Sequence, residues 1–145
     1  MSKPVISIQN PDGFSDFLKR MGDAFGESAL RKAGAAAASV VLKEAQYRAP
    51  IGPMNHHQGS KQYPVGFGAE ALLVAYIPEK SVAARMATYR VTWSAEAYYL
   101  RFYEYGTSRM AARPFFRPAI EVTKQAQIDA IRTQINQSLT EAGIV

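Results

Sequence analysis

Residues 98–121 read YYLRFYEYGTSRMAARPFFRPAIE, and the reading of this stretch decides how the rest of the chain is assembled. Its first eight residues are rich in aromatics and alternate. Tyr98, Leu100 and Phe102 fall on one side; Tyr99, Arg101, Tyr103 and Tyr105 fall on the other. A period of two in aromatic side chains predicts a β-strand over 98–105. Immediately upstream, residues 86–93 (MATYRVTW) alternate as well. There Ala87, Tyr89, Val91 and Trp93 face one way, and Thr88, Arg90 and Thr92 the other. The four residues 94–97 between the two runs predict an antiparallel hairpin. Gly106 ends the second strand, where it can supply a positive φ. Residues 107–114 show no period. Pro114 and Pro118 flank Phe115 and Phe116, and Pro118 suits the first turn of a last helix, where its missing N–H is no loss. Ile120, Ile128, Ile131, Ile135 and Leu139 form the apolar stripe of that helix, with Gly143 as its stop.

Towards the N-terminus the pattern turns helical. Phe14, Phe17, Leu18, Met21 and Phe25 recur at helical spacing after the turn signal Asn10-Pro11-Asp12-Gly13. Ser28 is a candidate N-cap for a second helix that runs through ALRKAGAAAASVVLKEAQYR and stops before Pro50. Its inward face is Leu30, Ala33, Ala37, Val40, Val41, Ala45 and the stem of Arg48. The alanines at 35–38 let another backbone approach closely, within the domain or from a second subunit. Val5-Ile6-Ser7-Ile8 predicts a short first strand. Residues 69–77 (AEALLVAYI) fit either a short helix or a strand. Residues 50–68 hold three prolines and four glycines in nineteen positions, a long flexible loop by composition. The expected fold is therefore α+β: N-terminal helices, a small mostly antiparallel sheet, and a C-terminal helix packed on it, in a single domain over 1–145.

Composition bounds what such a domain does. Its 145 residues are 48% hydrophobic and 20% charged. A core of this size buries about 70% of the surface exposed in the unfolded chain, so no staple is needed. No apolar run is long enough for a membrane span or a signal peptide, which leaves a cytosolic product as the expectation. The chain has no cysteine, which excludes disulfides, thiolate-bound zinc, iron–sulfur clusters and thiol catalysis. His56 and His57 are adjacent in the loop, a poor geometry for chelating one metal, and read as a solvated pair. Carboxylates are scattered singly, no serine sits in a nucleophile elbow, and Gly66-Phe67-Gly68 lacks the Lys-Ser/Thr of a phosphate loop. The expectation is no enzyme, no metal and no cofactor.

The net charge is +5, from 17 basic and 12 acidic residues. The excess is local. Residues 101–117 carry Arg101, Arg109, Arg113 and Arg117 against Glu104 alone. Arginine favours bidentate pairing with carboxylate or phosphate. Tyrosine and arginine are also enriched at protein interfaces. The candidate subunit or partner interface is therefore Tyr99, Arg101, Tyr103, Tyr105, Gly106, Thr107, Arg109, Met110, Arg113, Phe115 and Phe116. Arg109, Arg113 and Arg117 are candidates for contact with DNA or an acidic partner. Residues 106–118 are expected to leave the domain as a stiff arm, with Met110, Phe115 and Phe116 as apolar anchors.

The stretch quoted first resembles a motif of the neck proteins of tailed phages, the head–tail junction or tail-completion (minor tail) family of long-tailed bacteriophages. The resemblance lies in an aromatic run ending in Glu104-Tyr105-Gly106-Thr107, a short basic segment, and Pro114-Phe115-x-x-Pro118-Ala119 opening the last helix. Arg48-Ala49-Pro50 at the end of the alanine-rich helix is similar to that family's helix-to-loop junction. The segment after the loop, AEALLVAYI, departs from the family's usual Leu-x-x-Ser-Ile type opening. The resemblance implies a structural virion protein made in the host cytoplasm, working by shape and contact. It implies a hexameric ring around the DNA channel, contacting other neck and tail proteins, no membrane, and DNA without sequence specificity. A tail terminator that caps the tube is the nearest alternative. A small basic DNA-binding protein is a more distant one, and an enzyme using the histidine pair more distant still.

Overall fold

The computed structural model describes residues 11–52, 56–58 and 61–144. Helices α1 (Pro11–Ala24) and α2 (Glu27–Arg48) open the chain. Strands β1 (His56–Gln58) and β2 (Lys61–Tyr63) and the short helix α3 (Phe67–Glu70) follow. Strands β3 (Leu72–Tyr76) and β4 (Tyr89–Trp93) lead to α4 (Leu100–Tyr105), α5 (Phe116–Val122) and α6 (Lys124–Glu141). The expected strand at 5–8 lies outside the described residues, as do the expectations for the side chains of His56 and His57.

Helix α2 is the axis of the molecule. At 22 residues it is about 33 Å long. It starts at Glu27, with Gly26 and not Ser28 as the cap, and ends at Ala49, whose extended backbone suits the following Pro50. Ala29, Ala33, Ala38, Val41 and Ala45 are buried along it. Helix α6 packs along α2, and Lys32 near the start of α2 lies 4.0 Å from Glu141 at the end of α6, so the two helices run antiparallel. The sheet also packs on α2. The core sits where α2, β3, α4 and α5 converge, on Ala45, Ala49, Leu72, Ala97, Leu100, Phe115 and Ala119. Most of these are alanines, so close approach of backbones fills the interior, and Leu100 is its largest fully buried side chain.

The fold is α+β, with helices packed on a two-stranded antiparallel sheet. The pairing differs from the expected hairpin. Strand β4 pairs with β3 upstream, in the register Leu72↔Trp93, Val74↔Val91 and Tyr76↔Tyr89. The ambiguous run 69–77 divides between the end of α3 and β3. The second expected strand, 98–105, is helical: a 3-10 turn over Ala95–Ala97 leads into α4. The residues fit both periods. In a helix, Ala97, Leu100 and Glu104 point inward, while Tyr98, Arg101, Phe102 and Tyr105 point outward at i, i+3, i+4 and i+7. A helix also satisfies its own backbone groups without a strand partner.

Two further expectations are modified. Part of the expected loop is structured: β1 pairs with β2, and Tyr63 at its end is buried, its ring 4.4 Å from that of Phe67. The last helix is broken at Thr123, whose buried hydroxyl donates to the Ala119 carbonyl at 2.6 Å. Such back-bonding bends helices. At the far end Gly143 N–H donates to Thr140 C=O and Ile144 N–H to Leu139 C=O, a Schellman stop at the glycine expected for it.

Candidate interaction site

The two halves of the stretch 98–121 meet through one side chain. Helix α4 buries Glu104, and its carboxylate receives three backbone N–H groups from the start of α5. Oε2 accepts from Phe115 and Phe116, both at 2.9 Å, and Oε1 from Arg117 at 3.1 Å. Those amides have no partner inside their own helix, and a carboxylate there also meets the positive end of the helix dipole. Glu104 thus caps a helix that begins twelve residues later in the chain.

The intervening segment is folded to allow this. Gly106 has φ +75 and ψ 176, a region open only to glycine. A Cβ there would lie 2.8 Å from Ala112 N and 3.0 Å from Met110 O. Thr107 then closes a tight turn. Its N–H donates to Met110 C=O at 2.8 Å, and its Oγ1 accepts from the N–H groups of Arg109 and Met110. Arg113 N–H donates to Tyr103 C=O at 2.7 Å. Residues 106–118 therefore fold back onto the domain and do not leave it as an arm, because each end is hydrogen-bonded to α4.

This separates the expected interface residues into two groups. Phe115 is 3% exposed and belongs to the core, so it is no anchor for a partner. Phe116 packs against it and edge-on to Trp93, with ring centroids 6.1 Å apart. Tyr99 and Tyr103 pack against the core, and burial raises the Tyr99 phenol above its ordinary range, helped by Tyr103. Met110 is half-buried. Arg101, Tyr105, Thr107, Arg109, Arg113 and Arg117 are exposed. The helical turn adds Tyr98 and Phe102, which alternation puts on the side opposite the candidate interface; the i, i+3, i+4, i+7 spacing is the signal for them.

The electrostatics follow from the cap. Since Glu104 is turned inward onto amides, four arginines face solvent with no carboxylate beside them in this segment. Among the described residues, Arg101, Arg109 and Arg113 form no ion pair. The Arg117 guanidinium lies 5.6 Å from the centroid of the Tyr105 ring. The surface offers fixed positive charge beside aromatic faces, suited to carboxylates, phosphates and stacked rings. Among the described residues no three His, Asp or Glu side chains gather as a metal site, and no helix is long and apolar enough to cross a membrane.

A second feature lies on the other side of α5. An open apolar cleft of about 450 Å³ runs between α2, β4, α5 and α6. Gly34, Ala37 and Ala38 form its floor, and Tyr89, Phe116 and Ile131 its walls. Tyr89 crosses α2 so closely that a Cβ on Gly34 would sit 2.7 Å from its ring, and its hydroxyl donates to Arg31 C=O at 2.9 Å. Burial raises the Tyr89 phenol above its ordinary range, against the pull of the Arg31 charge. The small residues of α2 thus leave a groove between the elements packed on it. Comparison with protein-family models, curated proteins and solved structures finds no match for this chain.

Proposed function

We propose that the chain is a structural virion protein of the head–tail junction of a long-tailed phage, a tail-completion or connector subunit forming part of a hexameric ring around the DNA channel. The observation that carries this reading is the Glu104 cap. The motif Glu104-Tyr105-Gly106-Thr107 and the motif Pro114-Phe115-x-x-Pro118-Ala119 are one physical unit, joined by three hydrogen bonds. A chain that spends a buried carboxylate on fixing a short basic loop gains a rigid, outward display of arginine and tyrosine. Such a display suits a neighbouring subunit, another neck or tail protein, or the phosphates of DNA in passage. It works by shape and charge, without a catalytic step or a cofactor.

In the parent phage an amber stop in this gene tests the reading. Separate DNA-filled heads and tails, seen by electron microscopy of the lysate, are the expected result. Abnormally long tails would make the protein the tail terminator. Normal infectious particles would overturn the structural reading.

The solvent-facing arginines favour one second reading, a small basic DNA-binding protein. It predicts duplex affinity that falls with salt by about 0.9 log units per log unit for each phosphate contact. Absence of duplex binding at low salt removes it.

A further inference from the structure

Helix α1 and Phe25 just beyond its end carry an apolar ridge that the domain does not cover. Phe14, Phe17, Leu18 and Phe25 are between 40% and 50% exposed, although α1 rests on α6. With half-buried Met21 they are spaced at i, i+3, i+4, i+7 and i+11. That is the anchor pattern of an amphipathic helix lying in an apolar groove. The molecule also holds such a groove, the cleft over Gly34, Ala37 and Ala38, and no α1 residue lines it.

We infer that α1 of one copy docks in the α2–β4–α5–α6 cleft of a second copy, a heterologous contact that propagates from copy to copy. Charge selects this occupant. Helix α1 bears Asp12, Asp16 and Asp23 against Lys19 and Arg20, an acidic excess in a chain at +5. With α1 at a net −1 and the rest of the chain at +6, long-range charge favours α1 against a neighbour's body over α1 against another α1. Area sets the strength. An aromatic side chain brings about 150–250 Å² when fully buried. The half-covered ridge therefore supplies a few hundred Å², roughly half of the 800 Å² that each partner contributes to a stable interface. A contact of that size is weak for one pair and holds when each copy makes it twice, as in a closed ring. The inference deepens the ring reading and rests on it for the closure, although the ridge-to-groove contact itself stands on the geometry.

The absence of cysteine makes the test direct. Leu18→Cys places a thiol on the ridge, and Ala37→Cys places one on the groove floor. A short bis-maleimide is added to the full-length protein at high concentration, and denaturing gels are read. A mixture of the two single variants is expected to give a cross-linked dimer, while each alone gives none. The double variant is expected to give a ladder of oligomers. Cross-linking of Leu18→Cys alone would overturn the inference in favour of a symmetric α1–α1 contact. Linkage only within one chain of the double variant would overturn it in favour of α1 closing on its own groove. No linkage in the mixture, with thermal melting of both variants unchanged from the parent, would overturn it outright. None of these results bears on the amber phenotype, so failure of the contact is distinguishable from failure of the head–tail reading.

Discussion

The α4–α5 segment and helix α1 both combine charge with aromatic side chains, yet they dispose of them in opposite ways. In the first, a buried carboxylate, three helix-start amides, a glycine turn and a threonine turn satisfy one another, and Phe115 goes into the core. In the second, three phenylalanines and a leucine stay half in water. The first region is finished within one chain, so the backbone that carries its outward arginines is held in place. The second is unfinished. Exposed apolar patches are common sites of association, and the neighbour proposed above would cover this one.

The contrast is broken most directly at Glu104. Glu104→Ala leaves three buried or half-buried N–H groups without their acceptor. Charged hydrogen bonds and helix caps of this kind lead us to expect a loss of about 4 kcal/mol. That is a large share of the roughly 5–15 kcal/mol that holds an ordinary domain together. Glu104→Gln keeps one acceptor oxygen and is expected to lose about half as much. Urea unfolding with an unchanged m-value reads both. A loss below about 1 kcal/mol for the alanine variant would mean that the cap is not what fixes the loop.

Gly106→Ala comes next. The obstacles are backbone atoms on both sides, Ala112 N and Met110 O, so no side-chain rotation relieves the clash. With the glycine-only φ and ψ added, the expected cost is about 3 kcal/mol. The same melts check it. The backbone of the loop should also loosen, which limited proteolysis after Arg109 or Arg113 would detect as faster cleavage than in the parent.

Much of this is legible in the sequence. Ala33, Val41 and Ala45 on the inward face of α2, the stop at Pro50, the clean alternation of β4, Gly106 with its positive φ and Gly143 as a helix stop all follow from spacing and residue type. The helical spacing of Phe14, Phe17, Leu18, Met21 and Phe25 follows too, but most of that face turns to solvent, and Arg48 is exposed. The strand expected at 98–105 did not hold, because YYLRFYEY satisfies period two and period 3.6 together. Aromatic content then weighted the choice towards β structure. Burial of Leu100 is common to both readings and could not decide between them. The deciding interaction is Glu104 with amides eleven to thirteen residues away, which no local pattern contains. The same gap hid the fate of Phe115: flanked by prolines and arginines it reads as an exposed anchor, and only the cap draws it inside. The cleft was half legible. The alanines at 35–38 announced close approach, but that Tyr89 would press on Gly34 and leave a groove beside it depends on tertiary packing.

The hairpin between β3 and β4 offers a smaller effect of opposite sign. Ala84, in its connection, has φ +57, a left-handed conformation that an L side chain dislikes. It is exposed, and Val82 and Met86 bridge across the turn around it. Ala84→Gly is expected to stabilise the domain by about 1 kcal/mol, since relief of strain exceeds the added freedom of glycine in the unfolded chain. In a domain of this length that corresponds to a rise of about 3 °C in Tm. A fall in Tm would show that the turn gains from a side chain there, and that this region, like the α4–α5 segment, is finished from within.

The smallest expected effect sharpens the contrast most. If the ridge on α1 is unfinished, the isolated domain should hardly notice its loss. The double variant Phe14→Ser, Leu18→Ser removes two exposed apolar side chains and leaves Met21 and Ala24, which face the body, in place. The expected change in unfolding free energy is about 0.5 kcal/mol or less, as for ordinary surface substitutions. Far-UV circular dichroism should keep its helical signal. A loss comparable with that of Glu104→Ala would show that the ridge is already covered within one chain, and the two regions would then be alike. A stable double variant that no longer assembles is the outcome the contrast requires. The two apolar side chains that do nothing for the lone domain would then account for its association, and the division between a finished and an unfinished surface would be a division between display and assembly.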